Sequence, residues 1–261
     1  VRPYALRRQD AVFRTLSLSI LLTLFTGLWS SMTLSATAMT VLVTGANRGI
    51  GLEMVRQLEA RGMNVIGTAR NPDSAEELKA TGATVLQLDV TDAASVAALG
   101  TALEGKKIDL LINNAGVGSQ RAASLADYDF DKMMLTFDVN SIGPMRVTQA
   151  LLPNLQAGQH KTVVSISSVM GSIERNGGGA YGYRASKAAL NMMNKSLSLE
   201  LAEEGFTCVV VHPGWVRTRM GGEQAPVTPE QSVAGLLDVI SGLSTDDNGK
   251  FYDYQGEEIP W

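Results

Sequence analysis

Tyr183 and Lys187 stand four residues apart, a spacing that could serve proton transfer. On a helix, residues four apart share one face, one turn from each other. A free tyrosine has a pKa of about 10 and exchanges protons poorly at neutral pH. A neighbouring ammonium would stabilise the phenolate and lower that pKa, which would make Tyr183 a usable general acid or base. Tyr181 is not equivalent, because the residue four places later is the uncharged Ala185.

Three serines lie in the run Ser165-Ile166-Ser167-Ser168, at the end of a β-branched segment. A hydroxyl group there could hydrogen-bond a substrate oxygen on which charge develops. Because successive strand residues point to opposite faces, Ser165 and Ser167 share one face and Ser168 lies on the other. Only one of the last two serines can therefore point at a substrate.

Gly45, Gly49 and Gly51 fall between a β-branched run and a helix-length stretch. At such a turn the free N–H groups of a helix N-terminus can bind the pyrophosphate of a dinucleotide. Glycine allows this close approach because it has no side chain. A plain glycine-rich turn is the alternative, which three glycines in this position disfavour.

The charges near this turn indicate which dinucleotide binds. NAD sites usually carry an acidic residue about 20 positions after the glycines, bonded to the ribose 2′-hydroxyl. Here the second β-branched run ends at Arg70, and Arg48 lies within the glycine turn itself. Two guanidinium groups suit a 2′-phosphate, so the sequence predicts NADP(H), unless both arginines are solvated surface charges. Asp73 resembles the acid of an NAD site, but its position before a helix predicts a helix cap.

From Met39 onward the sequence alternates between strand-like and helix-like segments. β-branched runs predict strands at Val41–Thr44, Asn64–Thr68, Thr84–Leu88, Ile108–Asn113, Thr162–Ser167 and Phe206–His212. Left-handed helix ends are predicted at Gly62, Gly82, Gly105, Gly158 and Gly205. Strands that are apolar on both faces and joined by helices predict an α/β fold, a single Rossmann-like doubly wound parallel sheet with helices on both faces.

Composition and charge exclude several classes of function. With 261 residues, of which 45% are hydrophobic and 18% charged, the chain can bury one globular core. A net charge of −4 without a basic stripe argues against a nucleic-acid partner. Two histidines and one cysteine argue against a metal site, and Cys208, in an apolar run, is predicted to be buried. The sequence has no G-x-S-x-G motif and His160 has no evident partner, which argues against a serine hydrolase.

The order of the motifs resembles one family. The glycine turn reads TGxxxGxG, Asn113-Asn114-Ala115-Gly116 ends the fourth predicted strand, and YxxxK follows. In these features the chain is similar to the short-chain dehydrogenases/reductases, from about Thr40 to its last residue. The segments 212–218 and 251–261 further resemble the compact branch of C-factor and sniffer-type carbonyl reductases.

The resemblance implies roles for individual residues. Asn140 matches the family residue that holds a water linking Lys187 to solvent; the alternative is an asparagine that kinks its long helix or faces water. Ser168, rather than Ser167, matches the serine that binds the substrate carbonyl. The implied catalytic residues are Asn140, Ser168, Tyr183 and Lys187. The implied cofactor-binding residues are Gly45, Asn47, Arg48, Gly49, Ile50, Gly51, Arg70, Asp89, Val90, Asn113, Ala115, Gly116, Tyr183, Lys187, Pro213, Gly214, Val216 and Thr218.

The resemblance also implies an activity, the NADP(H)-dependent reduction of small or lipophilic aldehydes and ketones to alcohols. The short connection from Arg217 to a helix near Pro229 implies an open substrate pocket. The apolar residues beside this pocket would be Trp215, Met220, Val169 and Met170. The alternative is that these side chains serve only ordinary packing. The alternative function is a nucleotide-binding sensor or signalling protein of the C-factor type with little turnover. A further alternative is an alcohol dehydrogenase that works oxidatively with NAD, which would be favoured only if Arg48 and Arg70 had no role in cofactor binding. Because the helices carrying Asn140 and Tyr183 often form interfaces in relatives, we expect a homodimer or homotetramer.

Residues 1–38 differ from the rest of the chain. Four arginines precede the apolar run Leu16–Trp29, and small residues follow, an order that imitates a signal peptide. The run is short for a membrane span and contains several hydroxyl residues. We therefore predict an N-terminal extension over 1–38, which is a signal-like segment, a membrane anchor or the product of a mis-called upstream start codon. A dehydrogenase/reductase domain is predicted over 39–261. The expected location is the cytoplasm, or outside it or on a membrane if the extension acts as a signal or anchor.

Overall fold

The computed structural model describes residues 38–118 and 124–261. The predicted N-terminal extension lies outside these ranges except for Ala38, so its nature stays a prediction. Among the residues that are described, none of the helices combines the length and the apolar character needed to cross a membrane.

Seven strands form a single sheet: β1 (Thr40–Val43), β2 (Asn64–Ala69), β3 (Thr84–Gln87), β4 (Leu110–Asn113), β5 (Thr162–Ile166), β6 (Thr207–His212) and β7 (Phe251–Asp253). Their order is β3-β2-β1-β4-β5-β6-β7, and every neighbouring pair is parallel. The first six confirm the predicted strands within a few residues at each end. β7, which pairs with the end of β6, was not predicted.

Helices cover both faces of the sheet: α1 (Gly49–Ala60), α2 (Glu76–Lys79), α3 (Ala93–Ala102), α4 (Phe130–Phe137), α5 (Gly143–Gln156), α6 (Tyr181–Glu200) and α7 (Pro229–Ser241). A π-helical turn, Asp138–Ile142, joins α4 to α5. Short 3₁₀ turns cover Pro72–Ser74, Leu125–Asp127, Val169–Gly171, Ala202–Glu204 and Thr245–Asp247. This arrangement confirms the predicted Rossmann-like doubly wound fold.

Apolar residues of the strands alternate between two cores. Val41 and Val43 lie in one core with side chains of α1 and α7, whereas Leu42 lies in the other with side chains of α3 and α5. The sheet is thus buried on both faces, which is why its strands read as continuous apolar runs. Cys208 belongs to the second core, where burial raises the pKa of its thiol to about 12.

Some local predictions are wrong. A positive φ is confirmed at Gly62, Gly105 and Gly205 but is absent at Gly82 and Gly158. A Cβ on Gly158 would instead overlap the carbonyl oxygen of Ile108, so close approach and not a left-handed backbone requires glycine there. Asp73 does not cap a helix, because the side chain of Asn71 accepts from the Asp73 N–H at 3.2 Å and so caps the Pro72–Ser74 turn itself.

Candidate active site

The predicted site residues gather at the carboxyl ends of the central strands. β1 has β2 on one side and β4 on the other, so the strand order reverses at this point and leaves a crevice. The segments that follow the strands carry the predicted residues: Gly45 to Gly51 after β1, Arg70 after β2, Asp89 and Val90 after β3, Ala115 and Gly116 after β4, Ser168 after β5, and Pro213 to Thr218 after β6. The topology therefore collects motifs that are distant in sequence.

The glycine turn is closely packed against the end of β4. Gly45 has φ +64°, and a Cβ on it would lie 2.9 Å from the Cα of Ala115. A Cβ on Gly51 would overlap Nδ2 of Asn114 and would lie 2.5 Å from the Gly45 carbonyl oxygen. Both positions thus require glycine, one for its backbone conformation and the other for space.

The start of α1 is open to an anion. Arg48, at the N-cap position, makes no side-chain bond to the helix, and the first turn contains no acidic residue. The first N–H groups of a helix lack intrahelical partners and carry partial positive charge. Asn47 and Ile50 flank Arg48 and Gly49 in this turn. The turn therefore has the shape and the free donors that a pyrophosphate needs.

Asn114, which the predicted set omits, fastens the glycine turn to β4. Its Nδ2 donates to the carbonyls of Thr44, at 2.8 Å, and of the following glycine, at 3.1 Å. The Thr44 hydroxyl accepts from the N–H groups of Asn114 and Ala115, both at 3.0 Å. The predicted Asn113 is buried, and its Nδ2 donates to the Thr148 hydroxyl at 3.1 Å. In the sequence, Asn114 belongs to the motif Asn113-Asn114-Ala115-Gly116, but nothing in that motif assigns it this role.

Arginines dominate the charge around the turn. Burial lowers the pKa of Arg48, and the nearby positive charges of Arg219 and Arg70 lower it further. Burial alone would raise the pKa of Asp89, but hydrogen bonds from Thr91 and the charge of Arg70 hold that pKa below its usual range. Within the described ranges, none of the three arginines forms an ion pair. Arg219 was not among the predicted residues.

The segment after β6, here called the 213–222 loop, carries the predicted Pro213, Gly214, Val216 and Thr218. The hydroxyl of Ser232 donates to the Pro213 carbonyl at 2.6 Å and holds the start of the loop on α7. Cγ2 of Thr218 lies 3.5 Å from the position of a Cβ on Gly49. The loop therefore reaches the start of α1.

Tyr183, Ser168 and Lys187 come together at the start of α6. The side chain of Ser168 lies close enough to the Tyr183 hydroxyl to act on its pKa. Lys187 lies one turn further along, with Nζ 6.0 Å from the centroid of the Tyr183 ring. Its Nζ donates to the Ile166 carbonyl at 2.7 Å. The group thus contains a hydroxyl pair with a buried ammonium behind it.

The other two serines are engaged elsewhere. Oγ of Ser167 donates to Oδ1 of Asn191 at 2.6 Å, and Oγ of Ser165 lies 3.5 Å from Oδ1 of Asn194. Both pairs are buried between β5 and α6. Of the two serines left open by the alternation, the structure places Ser168 beside the tyrosine.

Burial sets the pKa values of the tyrosine and the lysine. It raises the pKa of Tyr183, and the side chain of Ser168 offsets this only in part. It lowers the pKa of Lys187, which is 5% exposed, from 10.5 to about 8. The expected lowering of the tyrosine pKa is therefore absent from the chain by itself. The ammonium is bonded to the Ile166 carbonyl, and the cost of burying a phenolate governs the pKa of Tyr183.

Asn140 lies in the π-helical turn, where a continuous helix was predicted. Its side chain is fully buried (0% exposed). Its Oδ1 accepts from the Val117 N–H at 2.8 Å, and its Nδ2 donates to the Val117 carbonyl at 3.0 Å and to the Ser186 hydroxyl at 3.1 Å. A Cβ on Gly116 would lie 3.3 Å from this Oδ1 and 3.9 Å from Nζ of Lys187. Asn140 thus borders the lysine and also occupies a distortion of its helix.

Comparison with known proteins bears on this site. A family model described as short chain dehydrogenase matches residues 39–227. The chain is 51% identical to the C-signal of Myxococcus xanthus over 155 residues, which are 59% of this chain and 93% of that protein. The NADPH-bound carbonyl reductase from chicken fatty liver is 38% identical, with a TM-score of 0.79 over 86% of this chain and 99% of that one. The carbonyl reductase Sniffer of D. melanogaster is 32% identical, with a TM-score of 0.81 over 86% and 100%.

Proposed function

The chain belongs to the short-chain dehydrogenase family, a family of oxidoreductases, and we propose that it reduces aldehydes and ketones to alcohols with NADP(H). The observation that carries the proposal is the pair of hydroxyl groups of Tyr183 and Ser168 with Lys187 behind it, next to the segment after β4 on which the glycine turn packs. A protein that only senses a nucleotide has no chemical need for this group.

The residues around the crevice fit such a cofactor. The glycine turn leaves space where side chains would collide, and the start of α1 offers free N–H groups to the pyrophosphate. Arg48 and Arg70 are free of carboxylate partners in the described part of the chain and would bind the 2′-phosphate. The remaining residues proposed to contact the cofactor are those implied by the sequence, from Asp89 to Thr218.

NADPH, when bound, supplies the hydride that is added to the carbonyl carbon. Ser168 would hold the carbonyl oxygen by a hydrogen bond as negative charge develops there. Tyr183 would donate its hydroxyl proton to that oxygen, which completes the alcohol and leaves a phenolate. The ammonium of Lys187 would stabilise the phenolate. Oδ1 of Asn140 uses one lone pair for Val117, so the second could hold a water through which the proton is restored.

The 213–222 loop is consistent with a broad range of substrates. Only a short connection separates it from α7, and the side chains of Trp215 and Met220 are more than half exposed beside the crevice. Val169 and Met170 lie half-buried on the turn after Ser168. An open mouth lined with apolar groups favours small or lipophilic carbonyl compounds.

A second copy of the chain is the proposed protein partner. α4 packs on α6, and apolar side chains stand strongly exposed on these helices: Phe130, Met134, Met192 and Leu199. Exposed apolar groups of this extent on two adjacent helices suit a symmetric interface. We propose a homodimer or homotetramer, located in the cytoplasm unless residues 1–38 direct the protein elsewhere.

The test is consumption of NADPH and of NADH by the full chain with a panel of aromatic and aliphatic carbonyl compounds. Tyr183→Phe should reduce turnover by roughly 10²–10⁴-fold, the usual contribution of a positioned acid, and should still bind NADPH. Tyr181→Phe is the matched control, because that ring is exposed and packs edge-on against Tyr128. Full activity in Tyr183→Phe would refute the proposal.

The second candidate function is signalling with little turnover, favoured by the similarity to the C-signal. Tight NADPH binding without turnover of any carbonyl in the panel would support it. Such a result would leave the cofactor assignment intact and would remove the proposed reductase activity.

A further inference from the structure

The 213–222 loop contacts two segments that line the crevice, the glycine turn and the segment after β4. At one point Cγ2 of Thr218 lies 3.5 Å from the position of a Cβ on Gly49. Two residues later, Cγ of Met220 lies 3.2 Å from that of a Cβ on Gly118, in the segment after β4. Arg219 stands between these two contacts, so the fold holds its backbone at the mouth of the crevice.

Arg219 joins two other cations there. Arg48 immediately precedes Gly49, the residue that Thr218 contacts, and the charges of Arg219 and Arg70 both act on Arg48. No carboxylate pairs with any of the three within the described ranges. The carboxylate of Asp89 is hydrogen-bonded by Thr91, and it interacts with the charge of Arg70 without forming an ion pair. Unpaired like charges repel each other, so the cluster favours an anion that can lie between them.

The neighbouring Arg217 shows what an arginine of this loop does without such a role. Its Nε donates to the Ala225 carbonyl at 3.2 Å, and its N–H donates to the Val227 carbonyl at 2.8 Å. It therefore fastens the loop to the segment before α7. Arg219 has no hydrogen bond of this kind among the described residues, which leaves its guanidinium available.

We propose that Arg219 is a third cation for the 2′-phosphate of the cofactor, shared with Arg48, and that it determines part of the preference for NADP(H) over NAD(H). This inference rests on the proposed function. The pyrophosphate is provided for by the backbone N–H groups of α1, whereas Arg219 follows Thr218, which contacts Gly49, and its charge acts on Arg48 together with that of Arg70 after β2. A phosphate held by both sides would also fasten the 213–222 loop against α1, which a cofactor without the 2′-phosphate could not do.

The test is titration of the full chain with NADPH and with NADH, followed by the fluorescence of the nucleotide, so that binding is read without turnover. Arg219→Gln should weaken NADPH binding about tenfold, which corresponds to about 1.4 kcal/mol, and NADH binding less than twofold. Arg219→Lys should lie between, because it keeps the charge but loses the fork geometry. Arg61→Gln, at the opposite end of α1 from the crevice, is the control and should change neither constant more than twofold. The thermal midpoint of Arg219→Gln without nucleotide should match that of the parent, since Arg219 is exposed.

The outcomes distinguish a failure of the role of Arg219 from a failure of the cofactor proposal. A parent protein that prefers NADPH, with Arg219→Gln unchanged or weakened equally for both nucleotides, would overturn the role of Arg219 alone. A parent protein that binds neither nucleotide, or binds NADH as tightly as NADPH, would overturn the cofactor proposal and this inference with it.

Discussion

Replacement of Lys187 by methionine should abolish turnover but stabilise the folded protein at neutral pH. The side chain is 5% exposed, and burial lowers its pKa from 10.5 to about 8. Below pH 8 the ammonium is charged in both the folded and the unfolded chain, so folding carries the full cost of burying the charge. Methionine has a similar length and no charge to bury, and the variant therefore escapes this cost.

The magnitude follows from the two pKa values. A difference of about 2.5 between them, at about 1.36 kcal/mol for each unit, corresponds to about 3.4 kcal/mol. Between pH 8 and pH 10.5 the unfolded chain binds the proton more readily than the folded one, so the stability of the parent protein rises with pH. The rise contributed by Lys187 amounts to about 2.5 kcal/mol between pH 7 and pH 10.

The assay is urea unfolding followed by circular dichroism at several pH values from about 7 to 10. The quantity of interest is the free energy of unfolding of the parent minus that of Lys187→Met. Loss of the bond to Ile166 shifts this difference by a constant, whereas the charge makes it rise with pH. The same pair in a Tyr183→Phe background removes the ionisation of the tyrosine. A difference that stays flat within about 0.5 kcal/mol over this range would refute the reasoning.

Four further substitutions separate catalysis and cofactor binding from packing. Ser168→Ala should lower kcat by roughly 10²–10³-fold and should cost about 1 kcal/mol of stability, because its Oγ also accepts from the Met170 N–H at 3.1 Å. Ser167→Ala should retain turnover and lose about 1–3 kcal/mol of stability, because its buried amide partner loses a hydrogen bond; the reverse pattern would mean that the wrong serine was assigned. Gly51→Ala should weaken NADPH binding at least tenfold in a fluorescence titration, since the new methyl group collides with the glycine turn, and unchanged binding would contradict that geometry. Asn140→Ala leaves the N–H and C=O of Val117 unpaired, at about 1–3 kcal/mol for each group, and a urea midpoint equal to that of the parent would show that these bonds do not matter.

Local sequence was sufficient for most of the sheet but not for its last strand. The runs that became β1 to β6 are rich in β-branched residues, and a glycine precedes each of β2 to β6, so the residues themselves carry the signal. β7 has only three residues, Phe251–Asp253, and is defined by its pairing with β6, which no local pattern encodes. Near Pro72, both Asn71 and Asp73 could accept a hydrogen bond, and only the backbone of the turn decides between them.

The parts of the site that escaped prediction depend on contacts between distant segments. The sequence around Asn140 predicts one continuous helix. In the structure Asn140 lies in the π-helical turn after α4, and its side chain bonds to the backbone of Val117, which follows β4. The sequence alone does not distinguish the roles of Arg217 and Arg219. Only the folded loop shows that Arg217 bonds to Ala225 while the charge of Arg219 acts on Arg48.

The π-helical turn Asp138–Ile142 also sets the angular phase between two helices. An α-helix turns by about 100° with each residue, and a π turn holds one residue more than an α-helical turn. The extra residue lets α4 face α6 while α5 directs its own apolar face to the sheet. Deleting one residue here would restore regular helical bonding yet rotate α4 by about 100° away from α6. At this position the number of residues is therefore constrained as tightly as their identity.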